Sequence, residues 1–231
     1  DVQNAYNAGS TIGSYLAALG FNVDFAPVAD VLTNPDNQVI GQRSFGSDAQ
    51  TVAGMVTSEL QGLSAAGVYG MVKHFPGHGG TSGDSHDGAV STDKTLEELM
   101  AEELVPFQSA IDGGVNFVMV GHISAPNVTG DNAPATLSKV LITDVLRGQM
   151  GYNGIVITDA MNMEAITGFY NSDKAAVLAV TAGADMILMP ADYNTAYTGI
   201  LNAVNDGTIT EERINESVTR IVKAKLAMGQ P

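Results

Sequence analysis

Five short apolar or β-branched runs recur along the chain, and each is followed by a segment with helical periodicity. The runs cover residues 22–28, 69–75, 116–123, 154–158 and 184–189. In the last helical segment Ile214, Val218 and Ile221 share one stripe after a candidate N-cap, Thr210. The pattern predicts strands and helices that alternate along the chain.

The predicted strands are nearly continuous apolar runs, which is typical of strands buried on both faces of a parallel sheet. Both a (β/α)8 barrel and a doubly wound sheet have such strands. The barrel is favoured because the polar segments rich in glycine and proline all follow strand carboxyl ends, where barrel enzymes place their chemistry. We therefore predict an α/β fold, a (β/α)8 TIM-type barrel, as a single domain over residues 1–231.

The number of predicted strands falls short of a closed barrel. Five runs are visible instead of eight, and the chain opens inside a helical pattern in which Ile12, Tyr15, Leu16 and Leu19 share a face. An unclosed barrel would expose unpaired strand edges. We expect that the first strands of the barrel, which would precede Asp1, are missing from this sequence.

Composition and charge argue against several classes of protein. The chain is 45% hydrophobic and 15% charged, as expected for a globular protein with a sizeable core. Its formal net charge of -15 would repel nucleic acids and anionic lipid surfaces. No run approaches the roughly 18 apolar residues of a membrane span. The absence of cysteine removes disulfides and thiol nucleophiles but leaves the compartment undecided.

A glycine-rich segment after the second run carries most of the candidate chemistry. Lys73 and His74 lie near the end of the predicted strand, and the glycines that follow predict a mobile loop over residues 76–88. Within this loop Asp84 precedes His86 by two residues, a spacing at which a carboxylate can orient an imidazole and stabilise its charged form. A solvated loop explains any single histidine here equally well, but it explains the pairing of Asp84 with His86 less well.

Asp159 follows the fourth run directly. A carboxylate at the carboxyl end of a barrel strand lies in the mouth of the barrel, where catalytic groups belong. The same position also suits a helix N-cap, and the residues alone favour neither role. A metal-dependent barrel hydrolase is a further alternative, because Asp159 and all four histidines follow strands, namely His74, His78, His86 and His122.

Six segments together resemble glycoside hydrolase family 3, and within it the branch of bacterial β-N-acetylglucosaminidases (β-hexosaminidases) that includes peptidoglycan-recycling enzymes. They are residues 25–30, 43–46, 73–79, 84–86, 158–161 and 182–185. The Asp-Ser-His triplet at 84–86 is the marker of that branch. The family's early strand with an Asp-Gln-Glu-Gly-Gly-Arg type motif, which grips the terminal sugar, has no counterpart in this sequence.

The resemblance implies a retaining exo-glycosidase that releases terminal β-linked N-acetylglucosamine without a metal or cofactor. Its substrate would be an N-acetylglucosamine-containing oligosaccharide or muropeptide. The residues carried over are the nucleophile Asp159, the acid/base His86 with its partner Asp84, and the sugar-binding residues Arg43, Lys73 and His74. Because they follow strands, we expect Lys73, His74, His122 and Asp159 to converge at one end of a parallel sheet.

Three questions stay open at the level of sequence. A histidine acid/base tolerates an incoming anion better than a glutamate does, so transfer of the sugar to phosphate can compete with hydrolysis. A non-catalytic carbohydrate-binding barrel is the alternative to an enzyme. Family members from Gram-positive organisms are often exported, which favours an extracellular or cell-envelope location over a cytoplasmic one.

Overall fold

The computed structural model describes residues 1–83 and 88–229. The chain divides into two compact units. Unit 1 comprises Asp1–Ser82 and Leu96–Met119, and unit 2 comprises Gly83–Thr95 and Val120–Pro231.

Strands and helices alternate along the chain, as the hydrophobic pattern predicts. Helices α1 to α9 cover Val2–Ala18, Ala49–Ala65, Leu96–Ala101, Val105–Asp112, Pro126–Thr129, Glu164–Thr167, Ser172–Ala182, Tyr193–Asn205 and Glu211–Ala227. Strands β1 to β6 cover Val23–Asp24, Tyr69–Phe75, Val90–Ser91, Phe117–Val120, Ile123–Ser124 and Ile155–Thr158. Two 3-10 helices cover Gly41–Arg43 and Ala135–Leu137, and a π-helix covers Val140–Gln149. Within the described ranges, no helix is both long and apolar enough to cross a membrane.

The strands of unit 1 bring two candidate site segments side by side, namely the segment after Val28 and the carboxyl end of β2. β1 pairs in parallel with β2, and β4 is the next neighbour of β2 in the sheet. The first apolar run pairs less than predicted, because only Val23–Asp24 forms a strand before Pro27, which has no N–H to donate to a ladder. Val28 then makes a single parallel bridge to Lys73. This bridge lays the segment after Val28 beside the carboxyl end of β2.

Helices α1 and α2 of unit 1 pack with their backbones in close approach. A Cβ built on Gly62 would lie 2.2 Å from the carbonyl oxygen of Tyr6, and one built on Gly9 would lie 2.3 Å from that of Glu59. Real Cβ atoms essentially never come so close to backbone atoms. Glycine at these positions therefore sets the distance between the two helices.

In unit 2, β6 is buried along its whole length, and β3 pairs in parallel with β5. The strand predicted over residues 184–189 is wrong as a regular strand. Met186 makes one parallel bridge to Ile157, and the carbonyl of Leu188 accepts the N–H of Met161. The backbone then turns at Met189, whose φ is 46°, so the segment leaves the ladder before Pro190.

Asp185 forms the centre of a buried polar cluster in unit 2. Its carboxylate accepts hydrogen bonds from Arg147 at 2.6 Å, Ser217 at 2.6 Å, Arg220 at 3.0 Å and the backbone N–H of Val156 at 2.9 Å. Burial alone would raise the pKa of Asp185, but the Arg147 charge and these hydrogen bonds hold it below its ordinary value. The cluster therefore contains an ionised carboxylate whose negative charge is compensated by the neighbouring arginines.

Helix α9 turns a polar face toward this cluster. Ser217 is buried, whereas Val218 of the predicted apolar stripe is 49% exposed. Arg213 adds hydrogen bonds to the carbonyl oxygens of Val180 and Ala184. The helix is thus attached to the rest of unit 2 through arginine and serine as well as through Ile214 of the predicted stripe, which packs against the cluster of Val180, Ala203 and Ile209. The predicted N-cap Thr210 is confirmed by its bond from the N–H of Arg213 at 3.2 Å.

Candidate active site

A buried carboxylate, Asp30, organises the end of β2 in unit 1. Asp30 has no solvent-exposed surface. Its Oδ2 lies 2.7 Å from Nδ1 of His74, while its Oδ1 accepts the backbone N–H groups of His78 at 2.7 Å and of His74 at 3.2 Å. The two imidazole rings meet edge to face, with centroids 6.0 Å apart. One carboxylate therefore fixes both the end of the strand and the start of the loop that follows.

The charge of Asp30 is retained despite its burial. Desolvation alone would raise its pKa, but the attraction of the His74 ring in its protonated form and the hydrogen bonds from His74 and from the His78 backbone outweigh desolvation. The pKa of Asp30 is consequently lower than its ordinary value, and the carboxylate is ionised at neutral pH.

The loop after β2 is packed as far as Thr81. The Thr81 hydroxyl lies 2.7 Å from Nδ1 of His78 and donates to the His78 carbonyl at 2.8 Å. Asn37 donates to the same carbonyl at 2.8 Å and to that of Thr81 at 3.1 Å. A Cβ on Gly79 would lie 2.0 Å from the carbonyl oxygen of Val31. The prediction of a mobile loop is therefore wrong for residues 76–81, because partners distant in sequence hold their backbone.

The three predicted sugar-binding residues lie in different settings within unit 1. Lys73 is partly buried and directly precedes the buried His74, and its carbonyl accepts the N–H of Ala29. Arg43 is exposed in its 3-10 helix, and its guanidinium donates twice to the carbonyl of Val39, at 2.8 and 3.2 Å. The structure thus brings Lys73 and His74 together, while the Arg43 side chain bonds to its own turn.

Asp159 lies in unit 2 directly after β6 and is half-buried. Its backbone N–H donates to the carbonyl of Val120 at 2.8 Å, and its Oδ1 accepts the N–H of Ala160 at 2.8 Å. Its Oδ2 makes no hydrogen bond to the part of the chain that the structure describes. The N-cap alternative is wrong, because the next helix begins at Glu164, four residues too late for Asp159 to cap it.

His122 supports the backbone beside Asp159. Its Nε2 lies 2.9 Å from the carbonyl oxygen of Ala160, and its Nδ1 lies 2.6 Å from the Thr136 hydroxyl, which donates to the Gly121 carbonyl at 2.8 Å. His122 is only 1% exposed. Its position after a strand is as predicted, but its ring bonds to unit 2 itself rather than opening toward solvent.

Other predicted site residues are not tested. Asp84 and His86 lie outside the described residues. Lys73 and His74 belong to unit 1, and Asp159 belongs to unit 2, so their convergence stays a prediction. Among residues 1–83 and 88–229, no three histidine, aspartate or glutamate side chains are grouped so that they could share a metal ion.

Asp30 is the functional candidate that sequence reasoning did not assign. It stands in the segment 25–30 that supports the resemblance, but its partners His74 and His78 are 44 and 48 residues away. The available signal was an aspartate after an apolar run, the same signal that singles out Asp159. Only the fold shows that this second aspartate turns inward to a histidine.

Comparison with known proteins identifies the family. The profile described as "Glycosyl hydrolase family 3 N terminal domain" matches residues 1–224. "Beta-hexosaminidase LpqI" of Mycobacterium tuberculosis is 37% identical over 232 residues, which is 97% of this chain and 59% of that protein. This chain therefore spans little more than half the length of that relative.

Two solved structures agree in fold. A "glycoside hydrolase family 3 beta-N-acetylglucosaminidase from Paenibacillus sp. str. FPU-7" superposes with a TM-score of 0.97 at 45% identity, over 99% of this chain and 44% of that one. "Beta-glucoside phosphorylase BglX" superposes with a TM-score of 0.95 at 29% identity, over 99% and 43%. These neighbours confirm the predicted α/β fold of the TIM-barrel type. The chain belongs to glycosyl hydrolase family 3, with the N-terminal domain of that family as its matching part.

Proposed function

We propose that the protein is a retaining exo-glycosidase that releases terminal β-linked N-acetylglucosamine from an oligosaccharide or muropeptide. The observation that carries the proposal is Asp159, a half-buried carboxylate after a buried strand, with one oxygen tied to the backbone. Support also comes from relatives named β-hexosaminidase and β-N-acetylglucosaminidase. The activity is proposed for the whole protein.

The proposed reaction has two displacement steps. First, Oδ2 of Asp159 bonds to the anomeric carbon, the bond from that carbon to the leaving oxygen breaks, and His86 gives its proton to that oxygen. Water then bonds to the anomeric carbon, the bond to Asp159 breaks, and the proton of the water passes to His86. A histidine suits both steps because its ordinary pKa, about 6.5, lies near working pH, and Asp84 would stabilise its charged form.

The proposal assigns sugar binding to Lys73, His74 and Arg43. Lys73 and His74 are adjacent at the end of β2, and the His74 ring is held by Asp30. Arg43 would have to exchange its bonds to the Val39 carbonyl for bonds to the sugar. Replacing Lys73 or Arg43 by alanine should therefore raise KM more than it lowers kcat. A loss confined to kcat would show that the assignment is wrong.

The nucleophile is tested by Asp159→Asn in the whole protein. This variant should lose cleavage of every substrate, because the covalent step has no nucleophile. Asp112→Asn, at an exposed position in α4, is the matched control and should keep full activity. Substantial turnover by Asp159→Asn would refute the role of Asp159.

The acid/base is tested by His86→Ala with two leaving groups. Cleavage of natural linkages should fall by about 10²- to 10⁴-fold, the usual contribution of general acid/base catalysis. A nitrophenolate leaves without a proton, so the first step should survive and a glycosyl-enzyme should accumulate. Mass spectrometry should then find one added sugar on the peptide that contains Asp159. Equal losses on both substrates, with no adduct, would mean that the acid/base is another residue.

Substrate class and acceptor are separate questions. Aryl N-acetylglucosaminides should be cleaved faster than aryl glucosides, and the reverse order would overturn the substrate proposal. Transfer to phosphate is a second candidate reaction, because a structural neighbour is named a phosphorylase. Sugar phosphate formed in phosphate buffer would support it, and hydrolysis alone at an unchanged rate would exclude it.

The remaining alternatives have direct tests. A metal-dependent hydrolase would lose activity in a strong chelator, whereas the proposed mechanism would not. A non-catalytic carbohydrate-binding barrel would bind the aryl sugar without releasing product. An extracellular or cell-envelope location is proposed together with the muropeptide substrate, and fractionation of the producing cells tests it.

A further inference from the structure

We propose that Asp30 is a positioning residue that fixes the tautomer of His74, so that Nε2 of His74 faces the substrate as a hydrogen-bond acceptor for a sugar hydroxyl. The inference rests on the proposed function for its substrate. Its geometric part, the tautomer, does not depend on catalysis.

The hydrogen on the His74 ring is located by the chemistry of its partner. Both oxygens of Asp30 are occupied, since Oδ1 accepts two backbone N–H groups and Oδ2 lies 2.7 Å from Nδ1 of His74. An ionised carboxylate can only accept hydrogen bonds. Nδ1 therefore carries a hydrogen, and in the neutral form of the ring the lone pair is on Nε2.

Nε2 is the ring atom left for a ligand. It makes no hydrogen bond to residues 1–83 or 88–229, although the His74 side chain is only 9% exposed. A nearly buried ring with one unpaired nitrogen is costly unless that nitrogen is solvated or bound by a ligand. A sugar hydroxyl is a suitable donor for that lone pair.

The Asp30 carboxylate also holds the backbone of the loop that follows β2. Asp30 accepts the backbone N–H of His78 in the glycine-rich segment. Asn37 and Thr81 donate hydrogen bonds to the carbonyl of the same residue. The segment that carries the proposed acid/base thus starts from a backbone anchored on the residue that orients His74.

Asp30→Asn separates a positioning role from a merely structural one. The amide is nearly isosteric, and its oxygen can still accept the two backbone N–H groups. Its NH2 group then faces Nδ1 and requires a lone pair there. His74 should switch to the Nε2–H tautomer, which would present a donor where the sugar needs an acceptor.

The first test reads the tautomer by ¹⁵N NMR of the whole protein labelled at histidine. The sequence has only four histidines, and His74→Gln assigns the signal. The unmodified protein should show Nδ1–H at His74, and Asp30→Asn should show Nε2–H. An Nε2–H tautomer in the unmodified protein would overturn the inference even if Asp30→Asn failed to fold. An unchanged tautomer in a folded Asp30→Asn would also overturn it.

The second test is a double-mutant cycle on an aryl N-acetylglucosaminide. Asp30→Asn should lower kcat/KM by about 10- to 100-fold, as expected for a charge-assisted hydrogen bond. In a His74→Gln background it should cost much less, because its effect passes through His74. Asp36→Asn, at an exposed position six residues after Asp30, is the control and should leave kcat/KM unchanged.

The outcomes keep the two proposals distinguishable. Independent, multiplicative losses in the cycle would show that Asp30 acts apart from His74 and would overturn the inference. If the unmodified protein released no sugar, the proposed function would fail while the NMR result still decided the tautomer.

Discussion

Replacing Gly62 by alanine adds one methyl group at the crossing of α1 and α2. That methyl carbon would lie 2.2 Å from the carbonyl oxygen of Tyr6 and 2.7 Å from the backbone nitrogen of Ser10. Ordinary contacts of this kind are about 3.5 Å, so the helices must separate by roughly 1 Å. Both neighbours are backbone atoms, which cannot rotate away as a side chain would.

The magnitude follows from two opposing terms. Overpacking of a close contact costs about 1–3 kcal/mol, and the backbone clash places Gly62→Ala at the upper end. Alanine is favoured over glycine inside a helix by about 1 kcal/mol. The expected net loss is therefore about 2 kcal/mol of unfolding free energy.

Gly54→Ala on the same helix is the matched control. A Cβ there would meet only a methyl carbon of Val2, at 3.5 Å. It should therefore gain about 0.5–1 kcal/mol from helix propensity alone. Urea titrations followed by circular dichroism, with equal m-values, should separate the two variants by about 3 kcal/mol. Equal midpoints would refute the reasoning about close helix approach.

Three further predictions concern titratable side chains. Burial and the charge of Asp24 raise the pKa of Glu59 to about 7 from 4.5, so the folded state favours the protonated carboxyl. The stability that protonation of Glu59 contributes is therefore lost as pH rises through 7. Glu59→Gln should therefore stabilise more at pH 8 than at pH 5 in urea titrations, and an equal change would contradict this. Asp185→Asn should cost about 3–5 kcal/mol at pH 7. Because the folded pKa of Asp185 is lowered, the same titration should show a smaller cost at pH 3, and a constant cost would contradict the ionised cluster. His122→Phe should lower kcat by about 10- to 100-fold with KM nearly unchanged in steady-state kinetics, because the Ala160 peptide beside Asp159 loses its tether. A rise in KM alone would count against that role.

Much of the fold could be predicted because its strands are short, apolar and buried on both faces. β2 and β6 lie where the hydrophobic runs place them, and Thr210 caps α9 because the capping signal is local. The run at 184–189 failed because an apolar run does not reveal where a backbone leaves its ladder. The sequence also does not predict that α9 turns Ser217 inward, since Ser217 bonds to an aspartate 32 residues away.

The candidate site was only partly predictable for the same reason. Lys73, His74 and Asp159 follow strands, and position after a strand is visible in the sequence. The role of Asp30 depends on the bridge between Val28 and Lys73, which sets it beside β2. The packing of the loop up to Thr81 likewise depends on Asn37, whose contacts no local sequence pattern predicts.

The Asp185 cluster also bears on how fast the native protein comes apart. Its carboxylate contacts Arg147, 38 residues earlier, and Arg220, 35 residues later. Closing loops of that length costs chain entropy before the contacts form, so the cluster should assemble after the rate-limiting step of folding. Interactions that form so late govern the unfolding rate rather than the folding rate. One buried aspartate, remote in sequence from its arginines, would thereby lengthen the lifetime of the native state under proteolysis or heat.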